Sequence, residues 1–275
     1  MMDPRFRSLE RAWRSVHWLL SRLENDEAEV HVLDIDKATL AAQLASSAGN
    51  LDASPLHRLL IDDEDGWDLL IGDYTFTLAA DDILTLATMG ALASRARAPF
   101  IAHGDLRLAG CGDDHAANDP SSWSLPDDEL GRLWTQFRRH PAASWIGLAA
   151  PRFVLRHPYG QRSDAIERFD FEELPKRPQR DRFLWGNPAF ACALLLAQAH
   201  TEDGARWPCR TAAPITDLPA PIYDDGSGEA VQPPLEVVLN ERARATAQQQ
   251  GLIVFASGHN TNRIAADSLF SVAAG

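Results

Sequence analysis

Residues 188–200 read PAFACALLLAQAH, an almost unbroken apolar run. At helical periodicity this run leaves no polar face for water, so it belongs in the middle of a core with other elements packed around it. That requirement excludes a small or open fold. The chain has 275 residues, enough to bury such a core without disulfide staples. Asn187 and Pro188 read as the N-cap and first residue of this helix.

The rest of the chain alternates strand and helix signals. Residues 5–24 predict an amphipathic helix. Phe6, Leu9, Trp13, Val16, Leu20 and Leu23 form one apolar stripe at spacings of three and four, and Arg7, Glu10, Arg11 and Arg14 lie on the polar face. Asp3 ahead of Pro4 reads as its cap. Residues 28–35 alternate and predict a strand, followed by a helix over 36–47 capped by Asp36. A short helix is expected over 55–61, a buried strand over 67–72, a helix over 80–97 and a strand over 98–102. Residues 127–139 predict a helix and 145–150 a strand. Further on, 235–238 predict a strand, 240–250 a helix ending at Gly251, and 252–256 a last buried strand. Residues 104–126 and 158–181 read as surface loops, and 212–234 as loop with room for one hairpin. The expectation is a single α/β domain over 1–275, with a mixed central β-sheet flanked by helices.

Charge narrows the function classes. The chain carries 39 acidic and 26 basic residues, a net −13. It has no basic stripe to overcome repulsion from phosphates, which argues against nucleic acid. Three cysteines without a CxxC spacing suit a reducing compartment. The N-terminus lacks an apolar signal core, and no uncharged apolar run is long enough to span a bilayer. These features predict a cytoplasmic protein without membrane insertion.

Motifs for catalysis are sparse. GxSxG, GxGxxG and GxxxxGK[ST] are all absent. Asp34 and Asp36 form a DxD, more simply read as a cap on the following helix. Cys111, Asp113, Asp114 and His115 are close in sequence, but their spacing matches no standard zinc pattern. No catalytic residue, cofactor or metal is assigned; a metal-dependent α/β enzyme using that loop stays as an alternative. Trp13, Trp18, Trp134, Trp145 and Trp185 lie in or beside apolar runs. Core packing explains them first and interface anchoring second.

Several stretches together resemble one family. They are DPRFRSLERAWRSVHWLLSR, WDLLIGDYTF followed by APFIA, WIGLAAPRFVLRHPYG continuing to FDFEE, DRFLWGNPAFACALLLA, and GLIVFASGHNTNRIA. In this order they are similar to the large subunit of the type VI secretion contractile sheath, over nearly the whole chain. The motif residues are Trp13, Asp73, Pro151, Arg152, Phe153, Arg156, Pro158, Tyr159, Gly160, Trp185, Gly186, Asn187, Asn260 and Thr261. Gly160 reads as a turn after Pro158 and Tyr159. Arg152 and Arg156 flank a short apolar run and either pair with acids such as Asp73, Asp170 or Glu172 or stay solvated, the commoner case for surface charges. The resemblance implies a structural assembly protein, with a small sheath subunit of the TssB type and other sheath or baseplate proteins as partners, and self-association open to it. An accessory protein that binds sheath or baseplate components is the alternative within that system. Typical large subunits are longer at both ends, so the resemblance implies either an excised core or a short paralogue.

Overall fold

The computed structural model describes residues 3–23, 28–47, 50–61, 66–112, 117–160, 173, 183–211, 213–220, 222–224 and 229–274. In chain order the elements are α1 (Pro4–Leu20), α2 (Lys37–Ser47), α3 (Pro55–Ile61), β1 (Leu70–Phe76), α4 (Ala80–Ala96), β2 (Phe100–Gly104), α5 (Glu129–Arg138), β3 (Ile146–Ala150), β4 (Phe153–Arg156), β5 (Leu184–Gly186), α6 (Pro188–Asp203), β6 (Cys209–Arg210), β7 (Ile222–Asp224), β8 (Glu229–Val231), α7 (Glu241–Gln249), β9 (Leu252–Val254) and β10 (Ser268–Leu269).

A four-stranded sheet of order β1-β2-β3-β9 forms the centre. All its pairings are parallel, with Ile101 opposite Gly147 and Ala149 opposite Ile253. Parallel neighbours need crossovers, and α4 and α5 occupy the β1–β2 and β2–β3 connections. The antiparallel pairings of a mixed architecture lie outside this sheet, in the pairs β4–β5, β6–β10 and β7–β8.

Period-2 alternation divides the core into two layers. Ile101, Ala149 and Ile253 point to the face covered by α6 and by Trp18 and Leu19 of α1. Phe100, Ala102, Leu148, Leu252 and Val254 point to the other, against α2, α3, α4, α5 and α7. The α6 helix is buried along most of its length, as its all-round apolar surface predicts. Asn187 caps it by accepting from the Ala189 N–H at 2.9 Å, Pro188 opens it, and Gly204 at φ +65° closes it. On the opposite face α4 packs tightly on the Pro141–Trp145 turn. A Cβ on Gly90 would lie 2.5 Å from the Ala142 carbonyl oxygen. Gly90→Ala is therefore expected to cost about 1–3 kcal/mol in denaturant unfolding, because a backbone atom must move to admit the methyl.

Several expectations need correction. Residues 28–35 join no ladder, since an alternating pattern names a face and not a neighbouring strand. Residues 235–238 form no strand; Leu235 makes an isolated bridge to Phe153. The 104–126 loop is not wholly superficial. Leu108, Ala109, Cys111 and Ala117 are buried, and the Leu108 carbonyl accepts from the Trp134 indole at 3.0 Å. Of the 158–181 loop, only 158–160 and 173 lie among the described residues. The hairpin expected within 212–234 is β7–β8.

The orientation of α1 is a finding that its periodicity did not state. Its cap is as expected, with the Asp3 carboxylate accepting from the Arg5 and Phe6 N–H groups. Its apolar stripe does not face the core as a unit. Ser15, Trp18 and Leu19 are buried, whereas Phe6, Leu9, Trp13 and Leu20 of the apolar stripe are exposed. Polar partners from the body of the fold meet the inward side of the helix: Arg7 donates to the Phe183 carbonyl, Arg11 faces Asp73, and Glu10 accepts from Arg156.

Candidate assembly site

Several of the motif residues converge where α1 meets β4 and β5. Arg156 is at the centre, its side chain 7% exposed, between Glu10 of α1 and Glu173. Its Nε donates to Glu10 Oε1 and its Nη1 to Glu173 Oε2, each at 2.6 Å. Nη2 donates to the second oxygen of each carboxylate at 3.2 Å. Arg14 adds a second cation, donating from Nε to Glu10 at 2.9 Å and from Nη2 to the Tyr159 hydroxyl at 2.7 Å. Tyr159 and Glu173 close the cluster through main-chain bonds, and the Arg156 guanidinium lies 4.2 Å from the Tyr159 ring centroid. Two cations thus meet two anions with their hydrogen-bonding capacity largely filled, the condition under which buried charge is tolerated.

Burial pushes the Glu10 and Glu173 carboxyls up, but hydrogen bonds and charge from Arg156 outweigh it and leave both below the usual glutamate range. Both motif arginines pair with acids, but neither pairs with Asp73. Asp73 faces Arg11 at 3.6 Å instead, and burial raises its carboxyl despite that arginine. Asp170 and Glu172 lie outside the described residues. Arg152 pairs with Glu236, donating from Nε at 2.8 Å and from Nη2 to the other oxygen. That pair is about one-third exposed, so Arg152→Ala is expected to cost no more than about 1 kcal/mol in thermal or urea unfolding.

The remaining motif residues build the frame. Phe153 packs its ring 4.8 Å from Trp18, and Trp185 lies 5.5 Å from Phe183. Pro151, Pro158 and Gly160 are buried. Gly186 has no room for a side chain, since a Cβ would meet Leu155 Cγ at 2.6 Å. Asn187 does more than cap α6. Its Nδ2 donates to the Gly72 and Tyr74 carbonyls, each at 3.1 Å, across the bulge in β1. Further away, Asn260 adopts φ +52° and accepts from the Val231 N–H at 3.1 Å, while the Thr261 hydroxyl donates to the Gly258 carbonyl. Trp13 stands apart from the cluster, 62% exposed.

A cleft of about 880 Å³ opens beside this frame, lined by Arg7, Arg11, Arg152 and Glu236 among others. Its charged groups serve the fold. Arg7 donates to the Phe183 carbonyl, Arg11 faces Asp73, and Arg152 holds Glu236. At the carboxyl end of β2, His103 accepts from or donates to the Thr75 hydroxyl at 3.0 Å, and burial followed by the Arg152 charge pushes it down to about 3. It is a neutral structural histidine there. Asp36 caps α2 through Thr39, as the DxD reading expected. Cys111 is buried, and Asp113, Asp114 and His115 lie outside the described residues. Among the described residues no group of three potential ligands is placed to hold a metal ion, and no helix is long and apolar enough to cross a membrane.

Sequence reasoning missed Glu10, Arg14 and Glu173 as partners of the motif arginine. The i,i+4 spacing of Glu10 and Arg14 was a usable signal for one pair. The contact between Glu10 and Arg156, 146 positions apart, left none.

Comparison with known proteins agrees with this frame. The type VI secretion system sheath protein TssC1 of Pseudomonas aeruginosa is 29% identical over 275 residues, covering 94% of this chain and 54% of that protein. The chain thus spans about half the length of that curated relative. The family model described as EvpB/VC_A0108, tail sheath N-terminal domain, matches residues 1–273. With the match running through α1, the Arg156 cluster and the Asn187 cap alike, the chain belongs to the EvpB/VC_A0108 tail sheath N-terminal domain family.

Proposed function

We propose that this protein is a structural component of a type VI secretion contractile sheath, a single α/β unit that works by protein–protein docking. Its motif residues serve as scaffold and not as catalytic groups. The observation carrying this reading is the Arg156 cluster. The most distinctive charged residues of the chain are consumed in locking α1 onto β4, so they hold a surface in place instead of facing a substrate. The family match supports the same conclusion. The partners that fit are a small sheath subunit, other sheath or baseplate proteins and further copies of the chain. A cytoplasmic setting suits the three free cysteines. Mechanical work in such an assembly comes from switching between two packings of subunits, for which an active site is unnecessary.

Co-expression with a small sheath subunit, affinity capture through a tag on that subunit and electron microscopy of the product test this. Tubes or a discrete heteromer are expected. Loss of the protein in the flow-through at every salt concentration would remove the reading.

A further inference from the structure

The two halves of α1 are held in different ways. Ser15, Trp18 and Leu19 in the second half are buried, and Val16 packs partly on the same core layer. From Pro4 to Arg14 no residue is buried. Arg7, Glu10, Arg11, Ala12 and Arg14 are half-buried there, and the others are exposed. Phe6, Leu9 and Trp13 face solvent, so docking the first half withdraws little of its large apolar side chains from water.

The first half also borders the cleft of about 880 Å³, where Arg7, Ser8 and Arg11 share the lining with Phe183, Trp185 and Val237. Its ties to the body of the fold are polar. Arg7 donates to the Phe183 carbonyl, Arg11 faces Asp73, Arg14 donates to the Tyr159 hydroxyl, and Glu10 accepts from Arg156. Each tie is replaceable. With this half lifted, Arg156 keeps Glu173. Asp73 loses its arginine, but burial already favours its neutral form. Glu10 and the three arginines of the helix recover full hydration, which offsets much of the attraction lost. Three turns alone are too short to stay helical in water, so their amides open to solvent together.

We infer that Pro4–Arg14 is a strap that leaves the body of the fold as one unit, pivoting at Ser15, at a free energy well below that of global unfolding. Segments with few buried apolar contacts open in this local way while the core stays closed. Arg156 is the catch, since Glu10 must leave it for the strap to rise. Because α1 packs along β4 and β5, lifting the strap widens the cleft toward Phe183 and Trp185. With Val154 these two form a small apolar cluster separate from the two main core layers. The chain thereby gains a surface that the closed strap hides. Opening needs no partner, so it holds whether or not the chain enters a sheath.

Amide hydrogen exchange of the whole chain, read residue by residue by NMR at several urea concentrations below the unfolding transition, tests this. After correction for intrinsic rates, the Ser8–Arg14 amides are expected to exchange about 100-fold or more faster than those of Leu194, Leu195 and Leu196 in α6. Their rates should hardly depend on urea, whereas the α6 rates climb steeply because only global unfolding exposes them. The Leu19 and Leu20 amides should remain more protected than the strap. Glu10→Gln removes the charge held by the catch and is expected to speed strap exchange by about tenfold or more, still without urea dependence. Ile83→Val, buried on the other side of the sheet, is expected to speed α6 exchange by about three- to tenfold and to leave the strap at the parent rate. The inference is overturned if the strap follows α6 along one urea line, or if it opens only together with Leu19 and Leu20. Strap exchange that is unchanged in Glu10→Gln, or that rises with α6 in Ile83→Val, overturns it equally.

Discussion

Replacing Arg156 by Met lowers the unfolding free energy by about 3–5 kcal/mol, the usual result of stranding buried charge. The side chain is almost fully enclosed and makes charge-assisted bonds to Glu10 and Glu173. Met fills much of the volume but leaves the Glu173 carboxylate, 3% exposed, without its cation. Glu10 keeps Arg14 and suffers less. Arg156→Lys should recover only part of the loss, because one ammonium cannot reproduce four bonds to two carboxylates. Urea unfolding of the parent and both variants gives the comparison directly.

The same cluster sets a pH dependence. Both glutamates titrate below their ordinary value of 4.5 in the folded chain. They therefore bind fewer protons folded than unfolded, and their contribution is fully present above that value. It is lost as pH falls through the lowered folded values. Below pH 4.5 the stability gap between the parent and Arg156→Met should accordingly narrow.

Asn187→Asp gives the second large effect, about 2–4 kcal/mol at neutral pH. The carboxylate still caps α6, so a capping account alone predicts almost no change. The loss comes from the other end of the side chain. The amide now donates to the Gly72 and Tyr74 carbonyls, and a carboxylate would turn negative oxygens toward them in a buried place beside Asp73. Asn187→Ala removes cap and donors together and should cost a similar amount. The two variants separate in acid. Protonation restores one donor to Asp and narrows its deficit relative to the parent at the same pH, while the Ala deficit stays constant.

What could be read from the sequence follows from what each signal encodes. The apolar run of α6 determined its burial, and Asn187-Pro188 determined where it starts, because both are local. The β4 and β5 strands passed unnoticed because each abuts another element, β4 following β3 after two residues and β5 running straight into the Asn187 cap. In α1 the periodicity located two faces but carried no information on which of them meets the core. The deciding contacts, from Arg7 to Phe183 and from Glu10 to Arg156, join positions more than a hundred residues apart. No window of sequence contains them. The motif Arg156 was recognisable by resemblance, but its acidic partners emerged only once the fold had brought the helix to the β4–β5 pair. Asn187 was legible as a cap, whereas its bonds to β1 depend on a bulge that only the folded sheet creates.

Sedimentation velocity of the chain mixed with a small sheath subunit tests most directly whether the molecule acts through the surfaces it presents. The account predicts one boundary containing both proteins, heavier than either alone and persistent at physiological salt. Two independent boundaries, with this chain at its monomer mass of 30.3 kDa, would contradict it.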